Sequence, residues 1–419
     1  MRSLILHSLA VTSIVSGLFA ERADAAPKNE LSLAASVDSA YDDNVYNGRG
    51  PDFVNRISPH ASWRLIDRRI TLETDYDMGY WTYALGKADN SLNHRARFDL
   101  DAKVTRRLTV QLGDEFNRAE DPGFLSRVGI VAPQIGILDN IADALVGYAF
   151  TRRFYASAGY TFHHTTFDGY SAAQLAAGNP MLFDGDEHDA QLNFSYRVTR
   201  RDDFHFGGRF QAFSAGPQNV SAERWLVGTS YAPSVGWRHQ FFKQLEANAD
   251  VGPLFYQRAS DSVFVPGASD SGVTWRLGAR LKWFTDAWRG GVSFTRDMVG
   301  ATGTGSALWA DFLYVNGGFH YHDRVEVTAG VGYFRNGRAP DQAVAYDGVT
   351  ADMLVDFTVV RYFRIGAYYT VRWQEIGPGA IAPGAPAAQF PNITRNIVGL
   401  RLLAVIGAES RPPKREAKE

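Results

Sequence analysis

The chain has 419 residues, no cysteine and a formal net charge of -2. A charge so near neutral, without a block of Lys or Arg in the body of the chain, gives no reason to expect a nucleic-acid partner. The missing cysteines exclude disulfides and thiolate metal sites. The length fits one large barrel or two to three ordinary domains.

The N-terminus has the pattern of a secretory signal peptide. Arg2 supplies the basic n-region, residues 4–20 are mostly apolar, and Ala23-Asp24-Ala25 forms an A-x-A site. This pattern predicts cleavage after Ala25. The alternative is an N-terminal membrane anchor, but the apolar run is short and polar residues interrupt it. We therefore expect an exported protein.

The segment 273–283 alternates strictly between apolar and polar residues. Its apolar row is Val273, Trp275, Leu277, Ala279, Leu281 and Trp283, and its polar row is Thr274, Arg276, Gly278, Arg280 and Lys282. Successive side chains of a strand point to opposite faces, so one face is apolar and the other carries three cations. Aromatic residues at both ends of an apolar row are typical of an outer-membrane barrel strand. The pattern predicts that Leu277 faces lipid and that Arg276 faces a lumen.

Similar hairpins recur along the chain. Thr-Arg-Arg occurs at 105–107, 151–153 and 199–201, and each copy separates two alternating segments. Such a fixed period indicates an internal repeat of strand, tight turn, strand and long loop. Further tight turns are predicted near His239–Lys243, Thr285–Ala287, His322–Arg324 and Val360–Tyr362. Long loops are predicted near Arg118–Leu138, Asp168–Asp186, Ala259–Ser271, Gly300–Ala307, Gly337–Asp347 and Ile376–Pro391.

These segments predict an all-β fold, a transmembrane antiparallel up-and-down β-barrel of about 18 strands, with 16–18 plausible. The strands are about 10 to 14 residues long, whereas soluble strands average five or six. An exported all-β chain can span lipid only as a closed barrel, because every backbone group must be paired within the protein. Short turns then face the periplasm and long loops face outside. The competing classes are a β-solenoid and a large secreted sandwich.

The predicted domains are a signal peptide at 1–25, an outer-membrane barrel at 26–407 and a charged, disordered tail at 408–419. A barrel of this size is too wide for side chains to fill, and a water-filled lumen avoids the cost of burying charges. The predicted pore-lining residues are Glu73, Asp75, Asp77, Arg95, Arg97, Arg276, Arg280 and Lys282. Alternatively, these charges are wall residues that pair across the strand ladder. By the same alternation, Tyr155, Phe213 and Tyr368 point inward.

Three short motifs have residue types that could form a chemical site. His163-His164 with Asp168 has the composition of a metal or acid–base cluster, but alternation places the two His on opposite faces. The stretch Tyr41–Asn44 offers carboxylates for Ca²⁺, although a strand end with Asx turns explains it as well. Gly228–Ala232 lacks the second glycine and the strand-to-helix setting of a nucleophile elbow. The sequence therefore predicts no enzyme, no catalytic or metal site and no cofactor.

The opening strand with Tyr41-Asp42-Asp43-Asn44-Val45-Tyr46, followed by hairpins with short Arg-bearing turns, resembles a family of proteobacterial outer-membrane proteins. They are described as β-barrel porin type 2 and related barrels, and members are associated with exopolysaccharide secretion loci. The resemblance implies a channel for polysaccharide export, with outer-membrane lipid, the polysaccharide, and periplasmic export and co-polymerase proteins as partners. The alternatives are a general or solute-specific diffusion porin, and an adhesion or scaffold barrel that acts through its extracellular loops.

Overall fold

The computed structural model describes the chain over most of its length. The described residues are 27–45, 50–120, 136–168, 184–216, 226–262, 265–285, 287–299, 308–322, 324–338, 344–377 and 392–407. The predicted signal peptide and the predicted charged tail lie outside these residues.

The described chain contains 18 β-strands. In chain order they are β1 Lys28–Asp42, β2 Asp52–Ile66, β3 Ile70–Tyr83, β4 Ser91–Lys103, β5 Leu108–Ala119, β6 Ile137–Ala149, β7 Phe154–Phe167, β8 Asp184–Arg197, β9 Asp202–Gly216, β10 Leu226–Phe242, β11 Leu245–Ser262, β12 Val265–Phe284, β13 Trp288–Val299, β14 Leu308–Tyr321, β15 Val325–Arg338, β16 Val344–Val360, β17 Phe363–Ile376 and β18 Ile393–Gly407.

The strands form one closed antiparallel sheet. Each strand pairs with its neighbours in sequence, and β1 pairs with β18 to close the cylinder. The predicted all-β barrel of 18 strands is therefore confirmed. Within the described ranges, no helix is long and apolar enough to cross a membrane.

The Thr-Arg-Arg repeats form one recurring tight turn. The Thr151 hydroxyl accepts hydrogen bonds from the backbone N–H groups of Arg153 and Phe154, at 3.1 and 2.9 Å. The turns at Thr105 and Thr199 repeat both bonds. A threonine hydroxyl that satisfies free backbone donors in this way fixes the turn and, with it, the strand register. At Thr285, without the two arginines, the hydroxyl accepts from the N–H of Trp288 at 2.9 Å.

One loop prediction is wrong. The segment Ala259–Ser271 belongs in large part to strands, because β11 and β12 continue as a hairpin with Ala259 opposite Ser269. Its Ser, Gly, Pro and Asp content is typical of a loop. Ladder hydrogen bonds, however, are made by the backbone, so strands already in register continue beyond their apolar rows. The predicted loop at 300–307 lies outside the described residues, as do most of 118–138, 168–186 and 376–391. The predicted loop at 337–347 is shorter than expected, since β15 runs to Arg338 and β16 begins at Val344.

Candidate functional site

The outer surface of the barrel is apolar. Side chains of alternating residues stand outward on each strand, among them Leu400, Val273 and Val235, which are 65%, 64% and 61% exposed. An apolar surface that continues around a cylinder far exceeds the patches that soluble proteins expose. A closed antiparallel barrel with such an exterior is the all-β form that can span lipid. The protein is therefore a β-barrel of the outer membrane.

Aromatic side chains gather where the strands meet the short turns. The exposed aromatic residues at this end include Phe150, Tyr196, Phe204, Trp283, Trp288, Tyr321 and Tyr362. Such a girdle marks the level of the lipid headgroups in membrane barrels.

The inner face carries the charges. Cross-strand partners share a face, so the exposed apolar side chains fix which residues point inward on every strand. All eight predicted pore-lining residues have inward parity. Asp75 is opposite Arg97 and Asp77 is opposite Arg95, while Lys282 is opposite Glu246. Inward parity also holds for Tyr155, Phe213 and Tyr368.

We call the part of the barrel formed by β2 to β5 the β2–β5 wall. Its inward charged side chains form ion pairs but remain exposed to water. Arg97 Nε is 2.6 Å from Asp99 Oδ2, with the two side chains 50% and 37% exposed. Arg95 Nε is 3.0 Å from Glu115 Oε1, with exposures of 49% and 34%. Exposure of this degree means that water solvates these ions, so each pair contributes little to stability. The wall is a hydrated surface of both signs.

Between β8 and β13, one group of inward charged side chains is much less exposed to water. Arg209 contacts both Asp189 and Asp297. Arg276 Nη1 is 2.9 Å from Asp250 Oδ2, and its Nε is 3.1 Å from Asp297 Oδ2. The five side chains are 14–24% exposed. We call these five residues the Arg209–Arg276 network.

Sequence reasoning identified Arg276 and missed Arg209, Asp250 and Asp297. Their inward direction could have been predicted from alternation, since the apolar residues Phe210 and Val251 follow Arg209 and Asp250 and are exposed on the outer face. The contact of Asp297 with Arg209 could not be predicted from the sequence, because it joins β13 to β9, and these strands are distant in the sheet.

A second polar group is buried on the inner face near the long-loop end. His163 Nε2 contacts Asp139 Oδ1, and the Thr165 hydroxyl donates to the same oxygen at 2.6 Å. Thr165 Oγ1 is also 3.0 Å from His163 Nε2. In a nucleophile–His–Asp triad the His uses one ring nitrogen for each partner, whereas here Nε2 faces both. The three side chains therefore form a hydrogen-bonded group on the barrel wall and do not have the geometry of a catalytic triad.

The other His of the pair stands apart. His164 Nδ1 is 2.7 Å from Asp186 Oδ1, and its parity is opposite to that of His163. The expectation that the two rings point to opposite faces is met. Among the residues that the structure describes, no group of three or more His, Asp or Glu side chains is arranged to hold a metal.

The Asp-Asp-Asn stretch joins the two ends of the sheet. Arg395 Nε is 3.1 Å from Asp42 Oδ1, and its Nη2 is 2.5 Å from Asp42 Oδ2. Asp43 accepts from the backbone N and the side-chain Nδ2 of Asn396 at 2.7 and 2.6 Å. The Asn44 side chain donates to the Thr394 carbonyl at 2.9 Å. We call these contacts between β1 and β18 the clasp. Both carboxylates hold β18, and the Asn44 N–H also donates to Asp42 Oδ1 at 3.1 Å, as in an Asx turn.

Of the three aromatic residues that were predicted to point inward, Phe213 does not line the lumen. Phe213 is 3% exposed and belongs to an apolar cluster that includes Leu254 and Met298. Its role is packing. Tyr155 and Tyr368 are half-buried on the inner face.

No protein-family model and no curated protein sequence matches the chain. Solved structures of similar shape include OccAB4 of Acinetobacter baumannii, with 9% identity over 91% of this chain and 98% of that chain and a TM-score of 0.44. The outer membrane protein opdK of Pseudomonas aeruginosa has 9% identity over 91% and 99% of the chains and a TM-score of 0.43. The FrpB iron transporter of Neisseria meningitidis has 8% identity over 88% of this chain and 66% of that chain, with a TM-score of 0.46. The fold and the location of the protein follow from the geometry of its own chain.

Proposed function

We propose that the barrel is a channel that conducts a hydrophilic solute across the outer membrane. The observation that carries the proposal is the hydrated charge of the β2–β5 wall, where paired Arg and carboxylate side chains keep a third to half of their surface exposed. Ions in a dry interior would cost several kcal/mol each. Exposed ions of both signs on an inner face fit a water-filled path instead.

The test is conductance. The protein, refolded and inserted into a planar lipid bilayer in KCl, is expected to give discrete current steps. Absence of steps from protein that shows heat-modifiable gel mobility, and is therefore folded, would contradict the channel.

The finer proposal is that the solute is an exopolysaccharide on its way out of the cell. Support comes from the resemblance carried by the Tyr41–Tyr46 stretch. It also comes from the mixed charge of the wall, which offers hydrogen-bonding partners to sugar hydroxyls and binds each unit weakly, as passage requires. On this proposal, periplasmic export and co-polymerase proteins deliver the polymer to the short-turn end.

Deletion of the gene decides between the candidates. For an exporter, the deletion strain loses its surface polymer while the repeat unit is still synthesised inside. For a diffusion porin, the strain keeps its surface polymer and loses uptake of a small solute, an outcome that would refute polysaccharide export and retain the channel. An adhesion or scaffold barrel would leave both unchanged. The described residues give that role no specific support, since it rests on loops that lie largely outside them.

A further inference from the structure

The sheet is irregular between β12 and β13. Their ladder runs from Phe284 opposite Arg289 to Leu277 opposite Arg296 and stops there. Beyond that point β12 continues to Val265 paired only with β11, and β13 continues to Val299 paired only with β14. The β11–β12 hairpin and the β13–β14 hairpin are therefore not paired with each other at their long-loop ends.

The β13–β14 hairpin leans inward where the two separate. Met298 and Trp309 are opposite each other and have outward parity, yet they are only 2% and 4% exposed. Both belong to an apolar cluster with inward side chains of β9–β11, namely Phe213, Ala215, Ala232, Leu254 and Tyr256. The rings of Trp309 and Tyr256 meet edge to face, with centroids 6.1 Å apart. Outward side chains of one hairpin can pack on inward side chains of another only if the first hairpin lies inside the second.

The ion pairs report the same displacement. Asp297 contacts Arg209, although β13 and β9 are separated in the sheet by β10, β11 and β12. Neighbouring strands are about 4.8 Å apart, so four steps along a regular wall would place these residues roughly 19 Å apart. A direct contact requires that the end of β13 crosses part of the lumen. Asp297 is also 3.1 Å from Arg276 Nε on β12, so it is tied to the wall on two sides.

The gap that this displacement leaves is covered from outside. The Arg296 guanidinium lies over the Trp275 ring at 4.3 Å from its centroid, and its Nη1 is 3.2 Å from both oxygens of Asp311. Arg296 thus covers the separation between the hairpins at the lipid-facing surface.

We propose that the inward-leaning ends of β13 and β14, around Asp297, Met298 and Trp309, form the constriction of the lumen, and that Asp297 is a specificity-determining residue that fixes its width by holding the hairpin to Arg209 and Arg276. The proposal rests on the channel function proposed above. Solutes that enter the open, charged half of the lumen are then selected by size where the hairpin crosses it.

The first test compares two carboxylate variants in planar bilayers. Asp297→Ala releases the hairpin, so single-channel conductance rises, on the order of two-fold, and larger neutral polyethylene glycols enter the pore. The matched control is Asp203→Ala, which removes an inward carboxylate paired with Arg197 at 3.0 Å and leaves conductance unchanged. Equal conductance of Asp297→Ala and the wild type would overturn the proposal.

The second test separates hairpin position from charge. The chain has no cysteine, so Ala232→Cys with Met298→Cys can be joined by a short bifunctional thiol reagent without side reactions. In the Asp297→Ala background, this tether is expected to restore the low conductance of the wild type. If conductance stays high after complete cross-linking, the lost charge rather than the hairpin position is responsible, and the proposal fails.

Failure of the channel itself would look different. If folded wild-type protein gives no current, the proposed function falls, and the position of the hairpin is read from the cross-linking rate alone. Slower cross-linking in Asp297→Ala than with Asp297 intact then supports the Asp297 tether, and equal rates refute it.

Discussion

Two strand pairings of the barrel, which we call seams, differ in how completely their ladders form. The seam between two strands that are distant in the sequence is more complete than the seam between two consecutive strands. Between β1 and β18, which lie at opposite ends of the sequence, the ladder continues from Ser32 opposite Gly407 to Asp42 opposite Ile397. Between β12 and β13, which follow one another, the ladder stops at Leu277.

Side chains at the long-loop ends explain the contrast. The clasp joins β1 to β18 through a two-point ion pair in which Asp42 and Arg395 are 0% and 3% exposed. At the β12–β13 seam Asp297 of β13 pairs with Arg276 across the seam but also with Arg209 of β9, which lies three strands beyond β12. The neighbouring Arg296 pairs with Asp311 of β14 instead of a residue of β12. The β1–β18 ladder is therefore complete where its terminal ions bind each other across the seam, and the β12–β13 ladder stops where Asp297 is also held by a strand on the far side of β12.

The largest expected effect comes from breaking the clasp. Arg395→Met leaves the Asp42 carboxylate buried without its cation, which costs about 3–5 kcal/mol for a buried pair. We expect the midpoint of urea unfolding in phospholipid vesicles to fall accordingly. The double variant Asp42→Leu/Arg395→Met removes both ions and should recover a large part of the loss. A single variant as stable as the wild type would mean that the clasp does not hold the seam.

The second effect tests the lipid face beside the open seam. Leu277→Arg places a cation near the middle of the apolar band, at a cost of about 2–4 kcal/mol. The matched control is Arg280→Leu, an exposed inward residue on the same strand, for which little change is expected. Outer-membrane levels and heat-modifiable gel mobility compare the two variants. Equal levels would show that the faces of β12 are assigned the wrong way round.

Arg276→Leu gives the third effect, and it revises an expectation from alternation. A lumen arginine already in water should be replaceable at little cost, but Arg276 is 21% exposed and paired with Asp250 and Asp297. Its loss leaves Asp250 without this partner, for about 1–3 kcal/mol, below the figure for a fully buried pair because water still reaches the site. Urea unfolding of Arg276→Leu beside Arg280→Leu measures the difference. Indistinguishable midpoints would show that the Arg209–Arg276 network contributes nothing to stability.

The sequence predicted the features that depend on residues close together in the chain, such as the alternation of apolar and polar side chains. Alternation assigned the faces of β3, β4 and β12, and the Thr-Arg-Arg letters located three turns, because side-chain direction and turn hydrogen bonds involve residues close in sequence. It could not predict the inward lean of β13. Met298 and Trp309 have outward parity like any lipid-facing residue, and their burial results from packing on β9–β11, which no local pattern encodes. The Asp-Asp-Asn stretch was visible, but its partners Arg395 and Asn396 lie more than three hundred residues away.

The smallest effect on stability is expected on the β2–β5 wall, where the ion pairs are exposed to water, in contrast to the buried ion pair of the clasp. Asp99→Asn removes the partner of Arg97, but both side chains are more than a third exposed, and water replaces the lost carboxylate. The expected change is about 0–1 kcal/mol, and it shrinks further at high salt because exposed pairs are screened. Urea unfolding at low and high KCl, alongside Arg395→Met, checks this. A loss for Asp99→Asn as large as that for Arg395→Met, unaffected by salt, would mean that the β2–β5 wall is dry, and the argument for a water-filled lumen would lose its main support.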